Sequence, residues 1–180
     1  LFTNSQAQFY NGMQQSFGTG AATNSIHDLK QTELILLIGA NPTAAHPVTG
    51  AKIKQKVMKG TPLIVLDPVK TELARFANWH IQLRPGTNVA VLNMMAYFII
   101  EADLVDNEFI QTRTEEYQSY KKAIQALNID QLAAIAGVDK YLVKEAAIAY
   151  GSANTAMTFH GLGAAEHSQG SKSIMSIANL

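Results

Sequence analysis

The sequence predicts an α/β fold: a doubly wound parallel sheet with helices on both faces and an inserted helical segment. Three observations carry this. Residues 33–39 and 62–66 are short apolar runs without alternation, the pattern of strands buried on both faces. Helical signals fall between and after such runs, giving a β-α-β-α-β-α order that favours a parallel, Rossmann-like sheet. The turns that follow the strands carry Gly39, Pro42, Pro68, Pro85 and Gly86, residues that end strands and open turns.

In chain order, residues 5–17 read as a helix that Gly18-Thr19-Gly20 breaks. Ser25 is placed to cap a short helix over 26–29, its hydroxyl accepting an orphan backbone N–H. The first strand covers 33–39. Pro47 suits the first turn of the next helix, which runs to Lys59 and stops at Gly60. Ile53 and Val57, four apart, face the sheet, and Lys52, Lys54, Lys56 and Lys59 form a solvated face. Residues 62–66 are a second strand, 71–76 a short helix, 79–83 a third strand and 88–102 a strongly apolar helix. The chain then turns helical from about 106 to 152, with Asp130 and Asp139 as caps and Gly137 as a stop. Residues 155–159 return as a strand, followed by a loop over 161–170 and a final helix. The expectation is one α/β domain over 1–180: a βαβαβ half over 1–105, a helical segment over 106–152, and a return strand, glycine loop and helix over 153–180. The chain opens on Leu1 and closes in an apolar helical pattern without a stop signal, which reads as an excised piece of a longer protein.

Composition narrows the function classes. Lys plus Arg and Asp plus Glu are 14 each, so there is no basic surplus of the kind a nucleic-acid binder uses against phosphate. The longest apolar run, 89–100, is interrupted by Asn93 and is too short to span a membrane, which needs about 20 residues. No basic stretch followed by an apolar one marks a signal peptide. Compartment stays open, a cytoplasmic setting being favoured over a periplasmic one. With no cysteine, the chain offers no disulfide, thiolate metal site or cysteine nucleophile. The five histidines lack metal-ligand spacing, and His27, His80 and His160 read as structural.

The candidate chemistry lies in three loops: Gly39-Ala40-Asn41-Pro42, Asp67-Pro68-Val69-Lys70 and Arg84-Pro85-Gly86-Thr87-Asn88. Loops after parallel strands share the carboxyl edge of the sheet, where open α/β folds bind ligands. Glycine lets backbone approach a phosphate, and a following helix start offers free N–H groups. Asp67 stands where such folds hold a ribose or base edge. A nucleotide-like ligand follows from this layout, but ordinary turn chemistry explains the same residues equally well. Arg84 reads either as a phosphate contact or as a partner of a carboxylate. No Ser–His–Asp arrangement is present, so the chain holds no catalytic residue of its own.

Four motifs, in order, resemble the molybdopterin oxidoreductase family. Residues 38–47, with Gly39, Asn41 and His46-Pro47, resemble its first nucleotide loop; 65–68 with Thr71 to Ala74 resemble its second; 83–88 resemble its Leu-Arg-Pro-Gly-Thr-Asp loop; and 161–170 resemble its glycine loop near the pterin. The resemblance implies that Gly39, Ala40 and Asn41 contact a pyrophosphate. It implies that Leu66, Asp67, Pro68 and Val69 line a guanosine, with Gly86, Thr87 and Asn88 closing over it. Leu162, Gly163 and Glu166 would approach the pterin. Many members carry Gln at the position of Glu166; a carboxylate there accepts hydrogen bonds from a pterin but does not donate them unless protonated.

The form of the 166–170 segment is similar to the formate dehydrogenase branch. The implied cofactor is bis-molybdopterin guanine dinucleotide with Mo or W, and an iron–sulfur cluster is expected outside this segment. The implied partners are the remaining domains of the polypeptide, iron–sulfur or NAD-linked electron-transfer subunits, and formate. The metal ligand and the cluster cysteines of the family have no counterpart here, and Lys70 replaces a frequent Arg, losing its two-pronged phosphate grip. Two other readings are a metal-free relative such as the large peripheral subunit of respiratory complex I, and an unrelated nucleotide-binding α/β domain.

Overall fold

The structure is a computed structural model that describes residues 4–180. Its centre is a four-stranded parallel sheet in the order β3-β2-β1-β4. The strands are β1 (Leu34–Ile38), β2 (Leu63–Leu66), β3 (Trp79–Ile81) and β4 (Ala156–His160). Every residue of β1 and β2 is buried, as their uninterrupted apolar runs require. Register is continuous, Ile38 lying beside Leu66 on one side and His160 on the other.

The two sheet faces bury different cores. Leu34, Leu36, Ile38, Ile64 and Leu66 pack against α4 (Asn88–Glu101), α7 (Ile129–Ala136) and α8 (Lys140–Ser152). Ile35, Leu37, Leu63 and Val65 pack against Ile53 of α3 (Pro47–Met58) and against Leu73 and Ala74 of a 3-10 turn, Leu73–Phe76. Alternate side chains of one strand therefore feed opposite cores, which is why the runs show no polar alternation. The remaining helices are α1 (Asn4–Phe17), α2 (Pro42–Ala45), α5 (Asn107–Arg113), α6 (Tyr117–Gln125), α9 (Leu162–Ala165) and α10 (Gly170–Ala178). No helix among the described residues is long and apolar enough to cross a membrane.

Several expectations are corrected in detail. The connection between β2 and β3 is only a 3-10 turn, because the ten-odd residues between them leave room for little more. The turn forms at Asp28–Lys30 and not over 26–29; the Ser25 hydroxyl accepts the His27 N–H at 3.3 Å, as expected of a cap, and its own N–H donates to the Asp28 carboxylate. Asn128, not Asp130, caps α7, accepting the Gln131 N–H at 3.0 Å, while Asp130 pairs with Lys140. Asp139 caps α8 and Gly137 ends α7 at φ +68°, both as the sequence implies. The loop over 161–170 contains α9.

β4 has no neighbour on its outer side among the described residues. That edge borders an apolar groove of about 550 Å³ floored by Met157, Phe159 and His160 and walled by Phe9, Met13, Ile174 and Ile177.

Candidate functional site

Strand order reverses between β1 and β4, the place in an open parallel sheet where two carboxyl-edge loops part and leave a crevice. A crevice of about 130 Å³ lies there, lined by Gly39, Asp67, Pro68, Leu83, Arg84, Pro85, Gly86, Asn88, Gly163 and His167. All four sequence motifs therefore meet at one point. That is well below the roughly 300–1,000 Å³ of a complete ligand pocket, so it seats part of a dinucleotide and not the whole.

The loops are wired together through their backbones. The Gly39 N–H donates to the Leu66 carbonyl at 2.9 Å, and the Gly163 N–H donates to the Gly39 carbonyl at 3.1 Å. The Gly163 carbonyl then accepts from the buried Asn88 side-chain amide at 3.4 Å and lies 2.7 Å from His167 Nε2. Glycine is required at this crossing. Gly39 has φ +52°, and a Cβ there would lie 2.5 Å from backbone atoms of Gly163 and Ala164. A Cβ on Gly161 would lie 2.5 Å from the Gly39 carbonyl oxygen.

Not every candidate faces the crevice. Gly39, Asp67, Pro68, Gly86, Asn88 and Gly163 line it. Leu66 does not: its side chain is 0% exposed in the core, leaving only its backbone to shape the site. Val69 is 63% exposed on the outer surface, its N–H donating to Asp67 Oδ1 at 2.8 Å. Thr87 turns inward to donate its hydroxyl to the Arg84 carbonyl at 2.6 Å. Ala40 lies beside Gly161 and, like Asn41, outside the crevice lining; the backbone N–H groups of both meet no acceptor among the described residues, and Asn41 Oδ1 accepts the Thr43 hydroxyl at 2.9 Å. Leu162, 61% exposed, and Glu166 lie beyond the crevice lining, where α9 turns away.

Four further lining residues, Leu83, Arg84, Pro85 and His167, lie inside the quoted motifs, although the resemblance assigned none of them a cofactor contact. Arg84 pairs with no carboxylate among the described residues. Its Nη1 donates to the carbonyls of Ala134 at 2.9 Å and Ile135 at 3.2 Å, at the end of α7. The crevice thus holds one carboxylate, Asp67, buried to 9% exposure, whose second oxygen has no donor among the described residues. No cluster of His, Cys, Asp or Glu that could hold a metal ion occurs among the described residues.

Comparisons with known proteins agree on the family. The model of the molybdopterin oxidoreductase family matches residues 3–180. The F420-dependent formate dehydrogenase 1 subunit alpha of Methanococcus maripaludis is 38% identical over 94% of this chain and 25% of its own length. Formate dehydrogenase H of Escherichia coli is 35% identical over 94% of this chain and 24% of its own. Among solved structures, acetylene hydratase from Pelobacter acetylenicus superposes with a TM-score of 0.78 at 23% identity, over 96% of this chain and 24% of that one, which shows a shared fold. The chain spans about a quarter of the length of these relatives. The reading as an unrelated nucleotide-binding domain is thereby removed, and the chain belongs to the molybdopterin oxidoreductase family.

Proposed function

We propose that this chain is the segment that grips one molybdopterin guanine dinucleotide of a bis-molybdopterin guanine dinucleotide cofactor, carrying Mo or W, in a formate dehydrogenase. The observation that carries the reading is the convergence of four loops at the β1–β4 switch, wired through Gly39 and Gly163. The residues present fit such a group. Free N–H groups at Ala40 and Asn41 suit a pyrophosphate, whose charge is met by backbone dipoles and not by a cationic side chain. The unpartnered Asp67 oxygen suits the donors of a ribose or a guanine edge. Gly39 and Gly163 let the two backbones cross without a side chain intruding on that path.

When bound, the cofactor supplies the oxidation of formate to carbon dioxide, with release of one proton and two electrons. This chain orients the dinucleotide tail; the metal ligand, an iron–sulfur cluster and the substrate pocket belong to other parts of the complete polypeptide. Electrons pass to iron–sulfur or NAD-linked subunits. Relatives at 35–38% identity are named formate dehydrogenases, which favours this reading over a metal-free relative of respiratory complex I.

The test is the complete protein. Acid release of guanine nucleotide, together with Mo or W by elemental analysis, is the expected result; absence of all three sinks the proposal. Asn41→Asp keeps the acceptor used by Thr43 but sets a carboxylate beside the pyrophosphate, so metal and guanine content should fall without loss of fold.

A further inference from the structure

Arg84 is an exposed arginine that lines the crevice and yet has one guanidinium nitrogen tied to a distant helix. Its Nη1 donates to the Ala134 and Ile135 carbonyls, and its backbone N–H donates to the Ala136 carbonyl at 2.9 Å. These are carbonyls of the last turn of α7, which have no partner within the helix and carry the negative end of its dipole. Gly137 makes the approach possible. A Cβ there would lie 2.9 Å from Arg84 Nε and 3.1 Å from Cζ, so the guanidinium lies across the bare backbone that ends the helix.

The other side of Arg84 builds the seat. Its carbonyl accepts from the Thr87 N–H at 3.2 Å and the Thr87 hydroxyl at 2.6 Å, closing a tight turn. Pro85 and Gly86, the latter at φ +83°, occupy the two central positions, as a type II turn prefers. Arg84, Pro85 and Gly86 line the crevice, and the turn delivers Asn88 to the Gly163 carbonyl. One residue thus ties the third loop to carbonyls 50 and 51 residues further along the chain.

We propose that Arg84 is a positioning residue. It fixes the turn that closes over the guanosine by capping α7, without itself touching the ligand, so the helical segment over 106–152 serves as the brace of the nucleotide site. The inference rests on the cofactor reading above and adds a role for a segment that reading leaves idle. Nη1 is held against a helix end that a ligand does not supply, and this anchors the guanidinium whether or not a ligand is bound.

The test uses the complete protein with its cofactor and four variants. Arg84→Met removes the donors and keeps the stem. Arg84→Lys keeps an ammonium near the same carbonyls. Gly137→Ala keeps the arginine and its charge but places a methyl in its path. Asp139→Ala removes the α8 cap and loosens the same helical segment without touching the turn. Guanine nucleotide retained per protein, amide hydrogen exchange at Thr87 and the melting temperature are read for each. Loss of hydrogen bonds from a charged donor predicts about a five- to tenfold fall in retained nucleotide and a similar rise in Thr87 exchange for Arg84→Met and Gly137→Ala. Arg84→Lys should recover most of the loss, and Asp139→Ala should lower the melting temperature with retention unchanged. Loss in Arg84→Met alone, with Gly137→Ala retaining the nucleotide, would overturn the proposal in favour of direct contact. So would equal losses in Asp139→Ala and Gly137→Ala, which would mean general loosening. Wild-type protein without guanine nucleotide would overturn the cofactor reading itself, and this proposal with it.

Discussion

The two edges of the sheet, formed by the same four strands, are finished in opposite ways. At the amino edge, polar groups are closed by the protein itself. Leu63 N–H donates to Asn78 Oδ1 at 3.0 Å, and Asn78 N–H returns to the Leu63 carbonyl at 2.9 Å. Asn154 donates backbone and side-chain N–H groups to Glu33, and the Thr155 hydroxyl donates to the Gln31 carbonyl. At the carboxyl edge, Ala40 and Asn41 keep free N–H groups, one Asp67 oxygen stays unpartnered, and Gly39 and Gly86 hold left-handed backbone. The Asp67 carboxylate is not among the buried unpartnered atoms and Asn41 is exposed, so water can meet these groups and a ligand could replace it. The amino edge is closed by its own side chains, and the carboxyl edge is the one the proposed function assigns to a ligand.

The most disruptive way to break this contrast is Gly39→Ala. The new methyl would sit 2.5 Å from the Gly163–Ala164 backbone at a φ of +52° that side chains resist. Strain and overpacking together should cost about 3 kcal/mol or more, read as a lower urea midpoint, with cofactor content lost. Full stability in this variant would mean the β1 and glycine loops do not cross as described.

Asp67→Asn sharpens the contrast instead. The amide oxygen can still accept the Val69 N–H, so folding should change little, while the charged acceptor in the crevice is lost. Retained guanine nucleotide should fall roughly tenfold, worth about 1.4 kcal/mol. Unchanged retention would remove Asp67 from the site. Asn78→Ala is the mirror experiment at the amino edge. It orphans the Leu63 N–H and should cost about 1–2 kcal/mol in urea unfolding while the surviving folded protein keeps its nucleotide.

Much of this architecture was legible because it depends on neighbours in sequence. The buried strands, the Pro47 helix start, the Gly137 stop and the strand-end loops all follow from local pattern. What was illegible depends on distance or on a residue or two of phase. Arg84 finds the Ala134 and Ile135 carbonyls only after α7 has folded back, a pairing that no local pattern announces. His167 lines the crevice while its neighbour Glu166, singled out by resemblance, faces outward, because the end of α9 rotates adjacent side chains apart. Asn128 and Asp130 are both able caps two positions apart, and only the start of α7 decides between them. Leu66 and Val69 flank Asp67 on the second loop, yet strand burial and turn geometry take both side chains out of the site.

The smallest effect expected tests whether the carboxyl edge acts as one unit. His160 ends β4 at that edge, but its ring lies in the groove beside Phe9, with centroids 5.0 Å apart, and outside the crevice lining. Burial disfavours its charged form and holds its pKa below the ordinary 6.5. Above that value the ring is neutral both folded and unfolded, and its contribution to stability is fully present. As pH falls below 6.5, the unfolded chain takes up a proton that the folded chain resists, so stability should decline until the folded pKa is reached. Urea unfolding of this chain at pH 7.5 and 5.5 should therefore show a drop that His160→Phe reduces, since Phe keeps the stack and does not titrate. Guanine retention by the complete protein at pH 7.5 should be the same for both. A loss of retention in His160→Phe at that pH would extend the receiving edge past the crevice into the groove, and the division drawn between the two would have to move.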